Sequence, residues 1–113
     1  MSKITPYGIP ESDLDALISE LKRNSRIHEI LLFGSRAKGT FKNGSDIDIA
    51  LKGNNLNLRD ILDAISEIEK LLLPNKLDLV IFDRINEPAL VDHINRAGIV
   101  LFKRTGTEEG NRE

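Results

Sequence analysis

Three aspartates, Asp46, Asp48 and Asp78, hold the most reactive potential in this sequence. Asp46 and Asp48 open a run, residues 46–51, in which Ile47, Ile49 and Leu51 alternate with Asp46, Asp48 and Ala50. That alternation predicts a strand with both carboxylates on one face, roughly 6.5–7 Å apart at Cα. Two anions held side by side on an apolar-flanked strand repel each other, and a divalent cation is the simplest partner for them. Asp78 falls in a second alternating run, residues 76–82, on the side away from Leu77, Leu79 and Ile81. If the two strands are neighbours, the three carboxylates form one cluster. Two metal ions about 3.5–4 Å apart would there align an attacking oxygen with a leaving phosphate.

A second group of residues lies just upstream. Gly34-Ser35 follows an aliphatic, β-branched run at residues 27–33 that reads as a buried strand. A glycine there lets backbone approach a ligand closely, and amides opening the next turn can hold phosphate oxygens. Ser35 adds a hydroxyl, and Arg36 and Lys38 add positive charge suited to a triphosphate. Ser45, next to the aspartates, is either a further nucleotide contact or the cap of a turn. A Walker A loop is excluded. Gly34 and Gly39 have its spacing, but Thr40-Phe41 stands where Lys and a hydroxyl residue belong.

Composition narrows the chemistry further. The chain has 113 residues, no cysteine and two histidines, His28 and His93. Thiolate and histidine-rich metal centres are excluded, leaving carboxylates and hard ions such as magnesium or manganese. Both histidines read as structural or exposed. A net charge of -2 argues against broad nucleic-acid binding. No apolar run approaches a membrane span, and the first residues lack the apolar core of a signal peptide, so a cytoplasmic protein without membrane contact is expected.

The elements that must position these residues follow from periodicity. A helix is predicted over residues 11–22, with Ser12 as N-cap and Asp15 as its capping-box partner. Strand 27–33 comes next, then a polar loop over 34–44 holding at most one helical turn, then strand 46–51. Leu58, Ile61, Leu62, Ile65, Ile68 and Leu72 mark an amphipathic helix read as core. Strand 76–82, a helix opened by Glu87-Pro88, and strand 99–102 complete an α/β (α+β) order. A small mixed sheet with helices packed on one face is the natural arrangement. Residues 1–104 read as one domain and 105–113 as a polar tail.

The combination Leu32-Phe33-Gly34-Ser35-Arg36-Ala37-Lys38-Gly39, Ser45-Asp46-Ile47-Asp48-Ile49 and Leu77-Asp78-Leu79-Val80 resembles the polymerase-β-type nucleotidyltransferase superfamily. Within it the chain is similar to the minimal nucleotidyltransferases, MntA-like antitoxin partners of HEPN toxins. The resemblance covers nearly the whole chain. It implies that Gly34 and Ser35 contact a triphosphate, that Asp46 and Asp48 bind two magnesium ions, and that Asp78 completes the site and helps deprotonate the acceptor. Many relatives carry arginine where this chain has Lys38, which keeps the charge without the bidentate fork.

The larger members of the superfamily add a helical domain that this chain lacks. The resemblance therefore implies a partner, a small helical HEPN-domain toxin, or a second copy of the chain. It further implies transfer of AMP from ATP to a tyrosine of that toxin. Two other readings stay open: an inhibitory nucleotide-binding protein without catalysis, and a transferase for a small-molecule or RNA hydroxyl.

Overall fold

The computed structural model describes residues 3–104, so the tail expected over 105–113 lies outside the described residues. Four strands, β1 (Ile27–Phe33), β2 (Ile47–Gly53), β3 (Leu77–Ile81) and β4 (Ile99–Lys103), form one sheet in the order β3-β2-β1-β4. β1 is antiparallel to both β2 and β4, while β2 and β3 run parallel. One helix precedes them, α1 (Glu11–Leu21), and three connect them: the single turn α2 (Ser35–Lys38), α3 (Leu58–Glu69) and α4 (Pro88–Ala97). The parallel pair has the crossover helix α3 between its strands, as parallel pairing requires.

Alternation along the strands separates the two faces of the sheet. Ile30, Leu32, Ile47, Ile49, Leu51 and Leu79 join Leu14, Leu17 and Leu21 of α1 and Ile61 and Ile68 of α3 in the main core. Each fully buried Ile or Leu here contributes about 1.5–3 kcal/mol relative to exposure. The opposite parity, Leu31, Phe33 and Ala50 with Val80 alongside, packs on Ile94 and Leu90 of α4. Helices therefore do not all share one face: α1 and α3 cover the core face, and α4 crosses to the other. The apolar spacing of Leu90 and Ile94 would be wasted in solvent, and it covers that face beside Phe33, the partner of Asp48 across the β1–β2 pair.

Two local expectations are corrected. The N-cap of α1 is Pro10, with no side-chain cap, so Ser12 and Asp15 lie inside the helix. The proline's fixed φ, here -56°, already sets the entry geometry. A reciprocal capping box occurs instead on α3, between Asn57 and Asp60. The α3 stripe is also narrower than a full core face. Ile61 and Ile68 are buried, but Leu58, Leu62 and Leu72 are exposed. Leu72 follows the helix in the left-handed region at φ 55°, which turns it away from the core.

Candidate active site

The register places the reactive residues in one transverse row. Phe33, the last residue of β1, pairs with Asp48, and Asp48 pairs with Asp78. Adjacent strands lie roughly 4.8 Å apart, so Asp48 and Asp78 are direct neighbours. Asp46 precedes β2 by one residue and has the same parity as Asp48. Gly34-Ser35 leaves β1 at the same edge of the sheet, because β1 and β2 are antiparallel. Asp46 and Asp78 are exposed, whereas Asp48 is half-buried.

Gly34 is glycine for two reasons. Its backbone adopts φ 76°, ψ -155°, a region essentially reserved for glycine. A Cβ there would also collide with Asp48 Oδ2. The loop and the carboxylate are thus in contact, and the glycine accommodates this chain's own aspartate. The Gly34 N–H donates to His93 Nε2 at 3.0 Å. The His93 ring in turn meets Phe33 edge-on, with centroids 6.2 Å apart. Sequence reasoning missed His93. Its partner is 59 positions away, and no local spacing announces that contact.

Arg36 does not lie where a phosphate ligand would be expected. It is 3% exposed, the one fully buried charged residue among the described residues. Its Nε and Nη2 donate to the Ser45 carbonyl at 3.2 and 2.9 Å, and Nη1 donates to the Tyr7 carbonyl at 2.8 Å. The guanidinium also stacks on Phe41, 5.1 Å from the ring centroid. Burial of this charge is tolerable because its donors are used. Arg36 thereby ties the N-terminal segment and the residue before Asp46 to the loop. Ser45 Oγ accepts from the Lys42 N–H at 2.8 Å, the role of a turn cap. Lys38 ends α2 and is exposed, and Ser35 opens it half-buried. The amides of Ser35 and Arg36 open a helical turn and so have no partner within it.

The start of β2 is pinned from the other side as well. The Ile47 N–H donates to the Lys76 carbonyl at 2.8 Å, and Asn75 Nδ2 reaches the Ser45 carbonyl at 3.4 Å. The backbone beneath the aspartates is therefore held on both flanks.

The electrostatics match a site built to receive a cation. Burial, then Asp78, then Asp46 push the Asp48 carboxyl above its ordinary range, and Arg36 and His93 only partly oppose them. Oxygen donors with surplus negative charge fit a hard divalent ion. Among the described residues, no three His, Cys, Asp or Glu side chains already converge as a ready-made metal site. The paired backbones are adjacent, and rotation of the carboxylates is what closing on an ion requires. The register fixes those backbones, and side chains rotate far more readily than strands slip.

A small mixed sheet with an acidic row beside a Gly-Ser turn defines a nucleotidyltransferase core. A family model described as polymerase beta, nucleotidyltransferase, matches residues 11–107, and the chain belongs to that family. Among solved structures it is similar to a chain of a toxin–antitoxin complex with AMP-PNP. Identity is 26% and the TM-score 0.68, over 85% of this chain and 77% of that one. It is also similar to a chain of a point variant of the MntA–HpeT toxin–antitoxin, at 26% identity and TM-score 0.65, over 84% and 76%. A complex of tri-AMPylated Shewanella oneidensis HEPN toxin with MNT antitoxin matches at 22% identity and TM-score 0.63, over 88% and 76%, and supports the fold. Comparison with curated proteins finds no match. The minimal nucleotidyltransferases of toxin–antitoxin pairs are thus its structural relatives. Among the described residues, no helix is long and apolar enough to cross a membrane.

Proposed function

We propose that this chain is a metal-dependent protein adenylyltransferase that moves AMP from ATP to a hydroxyl, a tyrosine of a cognate HEPN toxin, and so acts as an antitoxin. The observation that carries the reading is the Asp48–Asp78 pair in register beside Gly34-Ser35. The likeness to a toxin–antitoxin chain crystallised with AMP-PNP supports the nucleotide and the partner class.

Asp46, Asp48 and Asp78 would hold magnesium or manganese, which supplies charge neutralisation for the transferring phosphoryl group. Gly34, Ser35 and the first-turn amides of α2 would cradle phosphate oxygens, with Lys38 adding charge from the rim. The acceptor oxygen bonds to the α-phosphorus as the bond to the pyrophosphate oxygen breaks, and pyrophosphate departs. The hydroxyl proton passes to a carboxylate, a role assigned to Asp78, which is exposed beside Asp48. Arg36 keeps Ser45 and Asp46 in place rather than touching substrate.

The test is to mix the chain with the protein encoded by the adjacent gene, magnesium and α-labelled ATP. An Asp46→Asn/Asp48→Asn double variant is run in parallel. Label moving to the neighbour with the intact chain alone is the expected result. A complex that blocks the neighbour equally well with either chain and carries no label would instead establish a purely steric inhibitor.

A further inference from the structure

We propose that His93 is a positioning residue of the nucleotide site, fixing the Gly34 peptide from α4 and with it both the phosphate loop and the seat of Asp48. The inference rests on the nucleotidyltransferase reading above. It assigns a role to a helix outside the recognised motif.

The argument begins with Gly34 itself. Glycine moves between positive and negative φ with little penalty, so a glycine in an unusual conformation needs something else to hold it there. Phe33, one residue earlier, is still paired to β2, and α2 begins one residue later. The Gly34 amide is satisfied by His93 Nε2 at 3.0 Å. An amide can only donate, so Nε2 must be the unprotonated nitrogen, with the ring proton on Nδ1.

The ring is itself held. Ile94, beside it, is buried in the second core with Leu31, Phe33 and Ala50, and the imidazole meets Phe33 edge-on at 71°. α4 is thus a fixed post, and among the described residues His93 makes its one side-chain hydrogen bond to the loop. A change at Gly34 would have two consequences together. Ser35 and the open amides of α2 follow it directly in the chain. Asp48 Oδ2 sits against the Gly34 α-carbon, where a Cβ would collide. The Gly34 carbonyl is held by the Ala37 and Lys38 N–H groups at 3.2 and 3.1 Å, and the His93 bond fixes its amide side, the side that joins the phosphate cradle to the central carboxylate.

The test compares His93→Leu, which fills similar space without an acceptor, with His93→Gln, whose Oε1 can accept from the Gly34 amide. Three quantities are read on the full chain: magnesium–ATP affinity by titration, Gly34 amide exchange by NMR, and melting temperature. His93→Leu is expected to weaken magnesium–ATP binding about fivefold, the equivalent of one neutral hydrogen bond. It should also speed exchange of the Gly34 amide. His93→Gln should recover affinity to within about twofold, and both variants should melt close to the parent. Unchanged or tighter binding by His93→Leu overturns the proposal, as does equal loss in both variants at equal melting temperature. A parent chain that binds no magnesium–ATP sinks the proposed function instead. In that case Gly34 exchange decides: faster in the leucine variant alone supports the positioning role, and equal in all three overturns it.

Discussion

Asp48 and Asp60 stand at opposite ends of the sheet and meet opposite treatment. Asp60, at the start of α3, accepts from the Asn57 N–H at 2.8 Å and from Asn24 Nδ2 at 3.1 Å, and pairs with Arg26. Burial alone would raise its pKa, but the Asn57 amide, Arg26 and Asn24 outweigh that and lower it. Asp48 is also partly buried, yet its neighbours are Asp78 and Asp46, and its pKa is raised. One carboxylate is satisfied by the chain and holds the fold together. The other carries charge that the chain does not neutralise. Perturbation of the second kind, in a group facing an open edge, marks functional sites more often than structural ones.

Four substitutions or titrations sharpen the contrast. The largest effect is expected from Asp48→Asn, which should lower nucleotidyl transfer on the order of 10³-fold while leaving the melting temperature equal or higher. Labelled transfer and thermal melting read the two halves. An Asp48→Asn chain that transfers label normally would remove the carboxylate row from the mechanism.

Gly34→Ala comes next. It forces a Cβ against Asp48 at positive φ and should cost about 2 kcal/mol of stability, with transfer falling as well. Urea unfolding measures the first, and an alanine variant of parental stability would show that the loop shifts freely. Asp60→Ala should cost about 2 kcal/mol through the lost cap and charge-assisted bonds. The Arg26 contribution is kept small because its side chain is 44% exposed. Transfer by this variant should match the parent, so loss of both stability and specific activity would erase the distinction between the two ends.

The smallest effect is the pH dependence. For Asp48 the folded pKa lies above the ordinary 3.8, so the native state binds more protons there and stability falls as pH rises through that window. For Asp60 the folded pKa lies below 3.8. Its contribution is fully present above that value and is lost as pH falls through the folded pKa. Unfolding free energies from pH 3 to 7 should show Asp48→Asn losing the first slope and Asp60→Asn losing the second. Identical profiles for both variants would contradict the assignment.

Much of this was legible from residue order, and the limits have physical reasons. Alternation revealed β2 and β3, and parity placed Asp48 and Asp78 on one face, because a period of two leaves no freedom of side. The Gly-Ser turn and the aspartates fell at one edge because an antiparallel pair returns the chain to where it left. The direction of a long side chain was not legible. Arg36 reads as a phosphate ligand by charge and position, yet its guanidinium turns inward to Ser45 and Tyr7. His93 was hidden because its contact is made only when α4 packs across the sheet. The α3 stripe overstated its buried face, since a hydrophobic period does not say how far a neighbouring layer extends over it.

The most direct test of the central claim is calorimetric titration of magnesium–ATP into the parent chain, Asp48→Asn and Asp60→Asn, with and without chelator. The account predicts equal, magnesium-dependent binding by the parent and Asp60→Asn, and binding at least about tenfold weaker by Asp48→Asn. Equal binding by all three chains, or binding indifferent to the chelator, would contradict it.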